Sequence, residues 1–352
     1  MNDTIKTLLS YFERDASYSS SELHTKIQSK VSLVTVKRSV NELYRLGYLS
    51  RAGAGRSVRY TLTRKGLLLR SYDTAEYLAQ PQQERIAQKE FNYDLFELPP
   101  ATTLTDDELL RLQKATQDFR QKSHENAAIR KREVERFMVE MSWKSARIEG
   151  NTYTLLDTEQ LLLYGVKSGK NTEFEAQMLL NQKAAFTFVY EHADLWREVS
   201  VAAIEKVHEL VIEKLGVDRN LRQTTVGITG TDYVPLGNAF QIREALERLL
   251  AYVHATRDIY EKALMLVLGL SYIQPFADGN KRTSRMVANG ILLAYGYAPI
   301  SYRAVDETAY KEATLIFYEQ NSIVPFKQLF VEHYIYSATH YNIADLGVVN
   351  AA

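Results

Sequence analysis

Apolar residues recur at helical spacing along most of this chain. Ile5, Leu8, Leu9 and Phe12 share one face of a helix running from Thr4 to Phe12. Ser20 or Ser21 caps a second helix, Glu22 to Gln28, that turns Leu23 and Ile27 inward. Ser32 caps a third, Leu33 to Leu46, stopped by Gly47. Val36, Val40, Leu43 and Leu46 form its packing face, and Lys37, Arg38, Asn41 and Arg45 its outer face. The period then shortens: Tyr48 to Arg51 and Arg56 to Thr63 predict two strands around the tip Ala52-Gly53-Ala54-Gly55.

Three helices followed by a hairpin resemble a winged helix-turn-helix, expected over residues 1–72. In such modules the third helix enters the major groove and the wing touches the backbone. Residues 73–104 turn polar, with Pro81, a Gln/Glu stretch and Pro99-Pro100, and predict a short helix within a linker. Helical periodicity returns from Thr105, with a long element from Leu109 to about Met138. Further helices are predicted over Glu173–Glu191, Val199–Leu215, Gln241–Thr256, Lys262–Tyr272, Asp306–Gln320 and Pro325–Ala338, and after Asn280 up to Gly296. One stretch differs. From Leu221 to Pro235, β-branched residues alternate around Gly230, which predicts a β-hairpin. The fold class is therefore mainly α, a helical body over 105–345 with one hairpin, behind a small α+β module. A loose tail is expected over 346–352.

Charge sharpens this division. The chain has 43 Lys and Arg against 43 Asp and Glu. Residues 1–72 hold 13 of the former and only 5 of the latter, so a basic module precedes an acidic body. That asymmetry points to an anionic partner, DNA, met by Lys37, Arg38, Arg45, Arg56 and Arg59; a module used for protein contacts or as a homodimer interface is the alternative. There is no cysteine, which excludes disulfides, thiolate metal sites and a catalytic thiol. No apolar run reaches membrane-spanning length and Met-Asn-Asp-Thr does not start a signal peptide, so a cytoplasmic location and no membrane partner are expected. The seven histidines are scattered, without metal-ligand spacing.

The chemistry concentrates in Ser271-Tyr-Ile-Gln-Pro-Phe-Ala-Asp-Gly-Asn-Lys-Arg-Thr-Ser-Arg285. An apolar helix leads into a turn of Pro275, Asp278, Gly279 and Asn280, and the turn opens onto Lys281, Arg282 and Arg285. Backbone amides at a helix N-terminus, a Gly-Asn nest and two guanidiniums one turn apart form an anion site. Asp278 offers a hard oxygen of the kind Mg²⁺ takes when it also rides on phosphates.

This string resembles the signature of the Fic/Fido family, His-x-Phe-x-Asp/Glu-Gly-Asn-Gly/Lys-Arg-x-x-Arg. Phe276, Asp278, Gly279, Asn280, Lys281, Arg282 and Arg285 match, and Gln274 stands where the family has histidine. A second stretch, Ser145 to Asn151 within 142–151, resembles the family's inhibitory Ser/Thr-x-x-x-Glu-Gly/Asn through Ser145, Glu149 and Gly150. The likeness extends from roughly Leu104 to Tyr341.

The resemblance implies ATP and Mg²⁺ as cofactors and transfer of AMP to a Tyr, Thr or Ser hydroxyl of a target protein, self included. Phe276, Gly279, Asn280, Lys281, Arg282 and Arg285 would bind nucleotide, with Asp278 on the metal. Ile228, Thr229, Gly230 and Tyr233 would belong to a flap that holds the target as an added strand. Glu149 would pair with Arg285 and take the place of a γ-phosphate. The family's histidine is the general base, and an amide cannot fill that role. Gln274 and Asn280 would thus orient a nucleophile at a site lacking its base. The competing expectation is a non-catalytic, ATP-responsive regulator that binds DNA.

Overall fold

The computed structural model describes residues 3–27, 31–122 and 127–343. The first unit contains α1 (Asp3–Ser10), α2 (Ser20–Lys26) and α3 (Leu33–Arg45) with strands β1 (Ser17–Tyr18), β2 (Leu49–Ala52) and β3 (Arg59–Leu62). The strands form an antiparallel sheet in the order β1-β3-β2, with Leu49 opposite Leu62 and Ser17 opposite Thr61. Strand β1 is a third strand not expected from the residue pattern, because two residues are too few to show alternation. Ile5, Leu8, Leu9, Phe12, Leu23, Val36, Val40 and Leu43 fill the core. Leu46 does not pack as expected and is 40% exposed, because it caps α3 where the chain turns away.

The second unit is helical. A short α4 (Arg64–Leu68) and α5 (Thr74–Ala79) lead to α6 (Asp106–Gln121) and α7 (Ala127–Ile148). They are followed by α8 (Leu155–Tyr164), α9 (Glu173–Glu191), α10 (Val201–Val211) and α11 (Ala239–Ala255). The body is completed by α12 (Ile259–Ile273), α13 (Asn280–Ala294), α14 (Glu307–Gln320) and α15 (Val324–His340). Local chemistry sets several starts. Thr105 with Glu108 and Thr172 with Glu175 form capping boxes, and Asp258 and Asp306 cap α12 and α14.

Helix α12 is buried from Tyr260 to Ile273, and α13 is buried throughout except at Lys281. Helices buried on every side belong at the centre, so this pair is the hub on which the others pack. Gly290 permits one close contact: a Cβ there would lie 2.5 Å from Trp196 Cδ2.

Two expectations change. The polar stretch 73–104 runs packed on the body instead of through solvent. Leu95, Phe96 and Leu104 join the main core, Asn92 N donates to the Tyr272 hydroxyl (3.0 Å), and Glu261 accepts from Leu104 N (2.9 Å). A few apolar residues in a polar average are enough to anchor it. The 221–235 segment contains no strand: all three strands among the described residues lie in the first unit. The expected tail at 346–352 lies outside the described residues. Among those described, no helix is long and apolar enough to cross a membrane.

Candidate functional site

The site is built where α12 ends and α13 begins. Gln274 caps α12 in the left-handed region, φ 50°, which turns the chain out of the helix. Its Nε2 donates to the Ser271 carbonyl (2.6 Å) and the Tyr318 hydroxyl (3.3 Å), and its Oε1 accepts from Asn280 Nδ2 (3.0 Å). Asn280 laces the turn together: its Oδ1 accepts from Phe276 N (2.8 Å) while its Nδ2 also donates to the Phe276 carbonyl (2.8 Å). Gly279, φ 81°, is the N-cap of α13, and no side chain caps that end. The first amides of α13 are thus available to an anion.

Phe276 is not exposed to a ligand. It lies flat against His208, with ring centroids 3.6 Å apart, and His208 Nε2 bonds the Asp278 carbonyl at 3.0 Å. Burial lowers the His208 pKa to about 4, so this clamp is neutral at ordinary pH. Asp278 keeps its carboxylate at the rim, where Oδ1 accepts from Gly279 N (2.6 Å) and Oδ2 from Arg282 (3.1 Å). Among the described residues no cluster of three or more His, Asp or Glu could hold a metal alone. One accessible carboxylate suits only a cation that brings other ligands with it.

A cleft of about 410 Å³ opens above this turn, lined on one side by Asp278 to Arg282 and on the other by Val226 to Thr229, Lys311 and Leu315. Glu149 and Gln274 also face it. Arg282 is almost wholly buried, yet its Nη1 has no partner among the described residues. Such a group costs about 1–3 kcal/mol unless something bonds it.

Arg285 is completely buried and bound through two of its three nitrogens, its Nη1 having no hydrogen-bond partner among the described residues. Its Nε donates to Ser145 Oγ (3.0 Å), and its Nη2 to the Ser145 carbonyl (2.9 Å) and Glu149 Oε1 (2.8 Å). Ser145 lies in the last turn of α7, Glu149 follows directly after that helix ends, and Gly150 comes next at φ 96°. Burial pulls the Glu149 pKa upward, but Arg285, with Lys281 and Arg282 behind it, outweighs burial and leaves it lowered. On the other side burial opposes the Arg285 charge, yet Tyr310 and Glu149 hold its pKa up.

The structure therefore brings together Gln274, Asp278 to Arg282, Arg285, Ser145 and Glu149, although the two groups are far apart in sequence. Ile228 and Thr229 line the cleft and Gly230 is exposed beside it. Tyr233 stands apart from them: it is 1% exposed, and its hydroxyl donates to the Tyr272 carbonyl (2.8 Å). It braces the turn and does not face a ligand. His208, Tyr318, Lys311 and Arg222 had no assigned role from sequence. Arg222, the only charge in residues 221–231, was the one visible signal among them.

The basic residues of the first unit separate in the same way. Lys37, Arg38 and Arg45 are exposed on α3, and Arg56 is exposed at the β2–β3 tip. Arg59 is engaged: it donates to Ser17 Oγ (2.9 Å) and the Ser17 carbonyl (2.6 Å) and pairs with Glu22 at 3.1 Å.

Residues 198–292 match the Fic/DOC family. The chain is related to proteins described as protein adenylyltransferase Fic, at 29% identity over 181 residues for that of Drosophila melanogaster and 27% over 178 for that of Drosophila erecta. These matches span 50% of this chain and 36% of either relative's length. The fold resembles that of Fic-1 from C. elegans, with a TM-score of 0.56 at 22% identity, covering 69% of this chain and 71% of that one. It also resembles a Fic family protein from Desulfovibrio desulfuricans G20, with a TM-score of 0.56 at 20% identity, covering 68% and 75%.

Proposed function

We propose that this Fic/DOC-related chain binds ATP in the cleft above the 274–285 turn and is descended from AMP transfer chemistry, restrained by Glu149 and blunted by Gln274. The observation that carries the reading is the Glu149–Arg285 contact at 2.8 Å, with one buried nitrogen of Arg282 and one of Arg285 lacking a partner among the described residues. An anion entering the cleft would meet Arg282, Lys281 and the first amides of α13. A terminal phosphate would compete with the Glu149 carboxylate for Arg285.

Asp278 fits Mg²⁺ held jointly with phosphate oxygens, and the ion would neutralise phosphate charge there. In the transfer, a target hydroxyl oxygen forms a bond to the α-phosphorus as the bond to pyrophosphate breaks, and the hydroxyl proton must leave. Gln274 can orient that hydroxyl through its amide but cannot accept the proton, and loss of a general base costs about 10²–10⁴ in rate. Tyr318 offers no substitute, because burial raises its pKa far above neutrality and keeps it protonated. The target would be a protein Tyr, Thr or Ser, with exposed Thr229 at the cleft rim an available self-target.

Calorimetry with ATP and Mg²⁺ tests the reading. Binding that tightens on Glu149→Gly supports it. Absence of binding in both forms refutes it.

The exposed Lys37, Arg38 and Arg45 on α3 favour a second activity of the same chain, winged-helix binding of duplex DNA, with nucleotide in the cleft as a signal and not a substrate. That reading needs no general base.

A further inference from the structure

The carbonyls at the end of α12 have no partners within the helix and must find them elsewhere. Four in succession are taken by one loop. The Tyr272 carbonyl accepts from the Tyr233 hydroxyl (2.8 Å), and that of Ile273 from Arg222 Nη2 (3.3 Å). The Gln274 carbonyl accepts from Arg222 Nε (2.6 Å), and that of Pro275 from Arg222 N (3.0 Å). Arg222 Nη1 also holds the Thr224 carbonyl at 2.5 Å, at the start of the loop itself. Arg222 is 5% exposed and Tyr233 is 1% exposed, whereas Gln223 to Thr225 and Gly227, Thr229 and Gly230 are exposed. Both feet of the loop thus stand on the peptide groups flanking residue 274, and the span between them has no strand ladder to fix it.

We propose that Arg222, aided by Tyr233, is a positioning residue that makes the 223–232 loop and the side chain at 274 one mechanical unit. Whatever the loop presents to the cleft is then held at a set distance from residue 274. A buried guanidinium suits this role, since its planar fork can bond several carbonyls at once and its charge complements the carbonyl end of a helix. No paired strand orders the loop: Arg222 and Tyr233 fix it to the turn, and on its far side Arg85 Nη2 donates to the Gly230 carbonyl (2.7 Å) and Gln82 Nε2 to Asp232 Oδ1 (2.5 Å). The consequence for chemistry rests on the transferase reading above; the tether itself does not.

The absence of native cysteine allows a nitroxide to be placed uniquely at Thr229→Cys in the full chain. Electron paramagnetic resonance should show a restrained label in the parent and a mobile one in Arg222→Gln, with Arg222→Lys partly restoring restraint and thermal melting confirming that each variant is folded. An unchanged spectrum in folded Arg222→Gln overturns the tether. Should Arg222→Gln not fold, Tyr233→Phe, which removes a single hydroxyl, must loosen the same label, and its failure to do so overturns the proposal equally. In the Gln274→His, Glu149→Gly background, Arg222→Gln should lower labelling of protein by about 10²-fold while leaving nucleotide affinity within about 2-fold, as expected when only geometry is lost. A mobile label in a background that never labels any protein upholds the tether and refutes the transferase reading.

Discussion

Glu149 meets Arg285 across 2.8 Å, and Ser145, one turn earlier on α7, holds the same guanidinium from the side. The end of α7 and the residue just past it thereby engage a guanidinium that is completely buried. Helix α7 needs no other chain to do this. On the function proposed above, this contact is the restraint, and relieving it requires the carboxylate to move.

Replacing Glu149 by glycine should therefore tighten ATP more than ADP, because only ATP carries the phosphate that competes for Arg285. Calorimetry with both nucleotides in Mg²⁺ measures the difference. The same change should destabilise the apo protein by about 1–3 kcal/mol, since Arg285 loses a charged partner. The cost stays below that of a fully enclosed pair because Glu149 is 22% exposed. Transfer should remain weak, since Gln274 still accepts no proton. Strong labelling by Glu149→Gly alone would show that another group serves as base.

Acid should weaken the clasp. The folded pKa of Glu149 lies below its ordinary value of about 4.3, through the facing guanidiniums. A carboxylate lowered on folding contributes stability that is fully present above its unfolded pKa and is lost as pH falls through the lowered, folded one. Melting of the parent and of Glu149→Gln should differ most near neutrality and converge below about pH 4. A gap that stays constant to the acid limit would mean that the pair contributes no linkage.

Duplex DNA binding, if the α3 face serves it, should fall steeply with salt in the full-length protein. Log affinity falls with log salt by about 0.9 per phosphate neutralised, so Lys37→Ala and Arg38→Ala should each reduce the slope by roughly one. Arg59→Ala should act otherwise. Its guanidinium is bound to Ser17 and Glu22, so the loss should appear in melting temperature before it appears in affinity. A chain that ignores duplex at low salt but self-associates would assign this face to protein contact.

The helical body was legible because its apolar residues recur at helical spacing over long windows, and the caps Thr105 and Thr172 sit at helix starts. The 274–285 turn was legible because its chemistry is contiguous. What escaped is what sequence separation hides. Arg222 reaches Gln274 across 52 positions, and His208 reaches Asp278 across 70. Arg222 is the sole charge of its stretch, but nothing local names its partner, and His208 sits in an ordinary amphipathic helix. The 221–235 loop was read as a hairpin because extended backbone favours the same β-branched residues whether its partners are a strand or a helix end. Residues 73–104 were read as a linker because a few buried apolar side chains, Tyr77, Leu95, Phe96 and Leu104, are lost in a polar average.

The sharpest expectation concerns Gln274→His combined with Glu149→Gly. Position 274 lies at φ 50°, a region where histidine is several-fold enriched and a long amide is not, so the change should not strain the backbone. One ring nitrogen could donate to the Ser271 carbonyl that Gln274 now bonds, leaving the other free to take a proton. Asn280 loses its bond to Gln274 Oε1 but keeps the Phe276 carbonyl, so the turn stays laced. With Arg285 released and an imidazole in place, transfer should exceed that of Glu149→Gly alone by about 10²–10⁴-fold, the usual span for a restored general base. Mass spectrometry of the purified protein and of lysate after incubation with ATP and Mg²⁺ reads the AMP adduct directly. A folded double variant that binds nucleotide and modifies nothing would place the defect beyond residue 274, with the loop on Arg222 and Tyr233 the next part to examine.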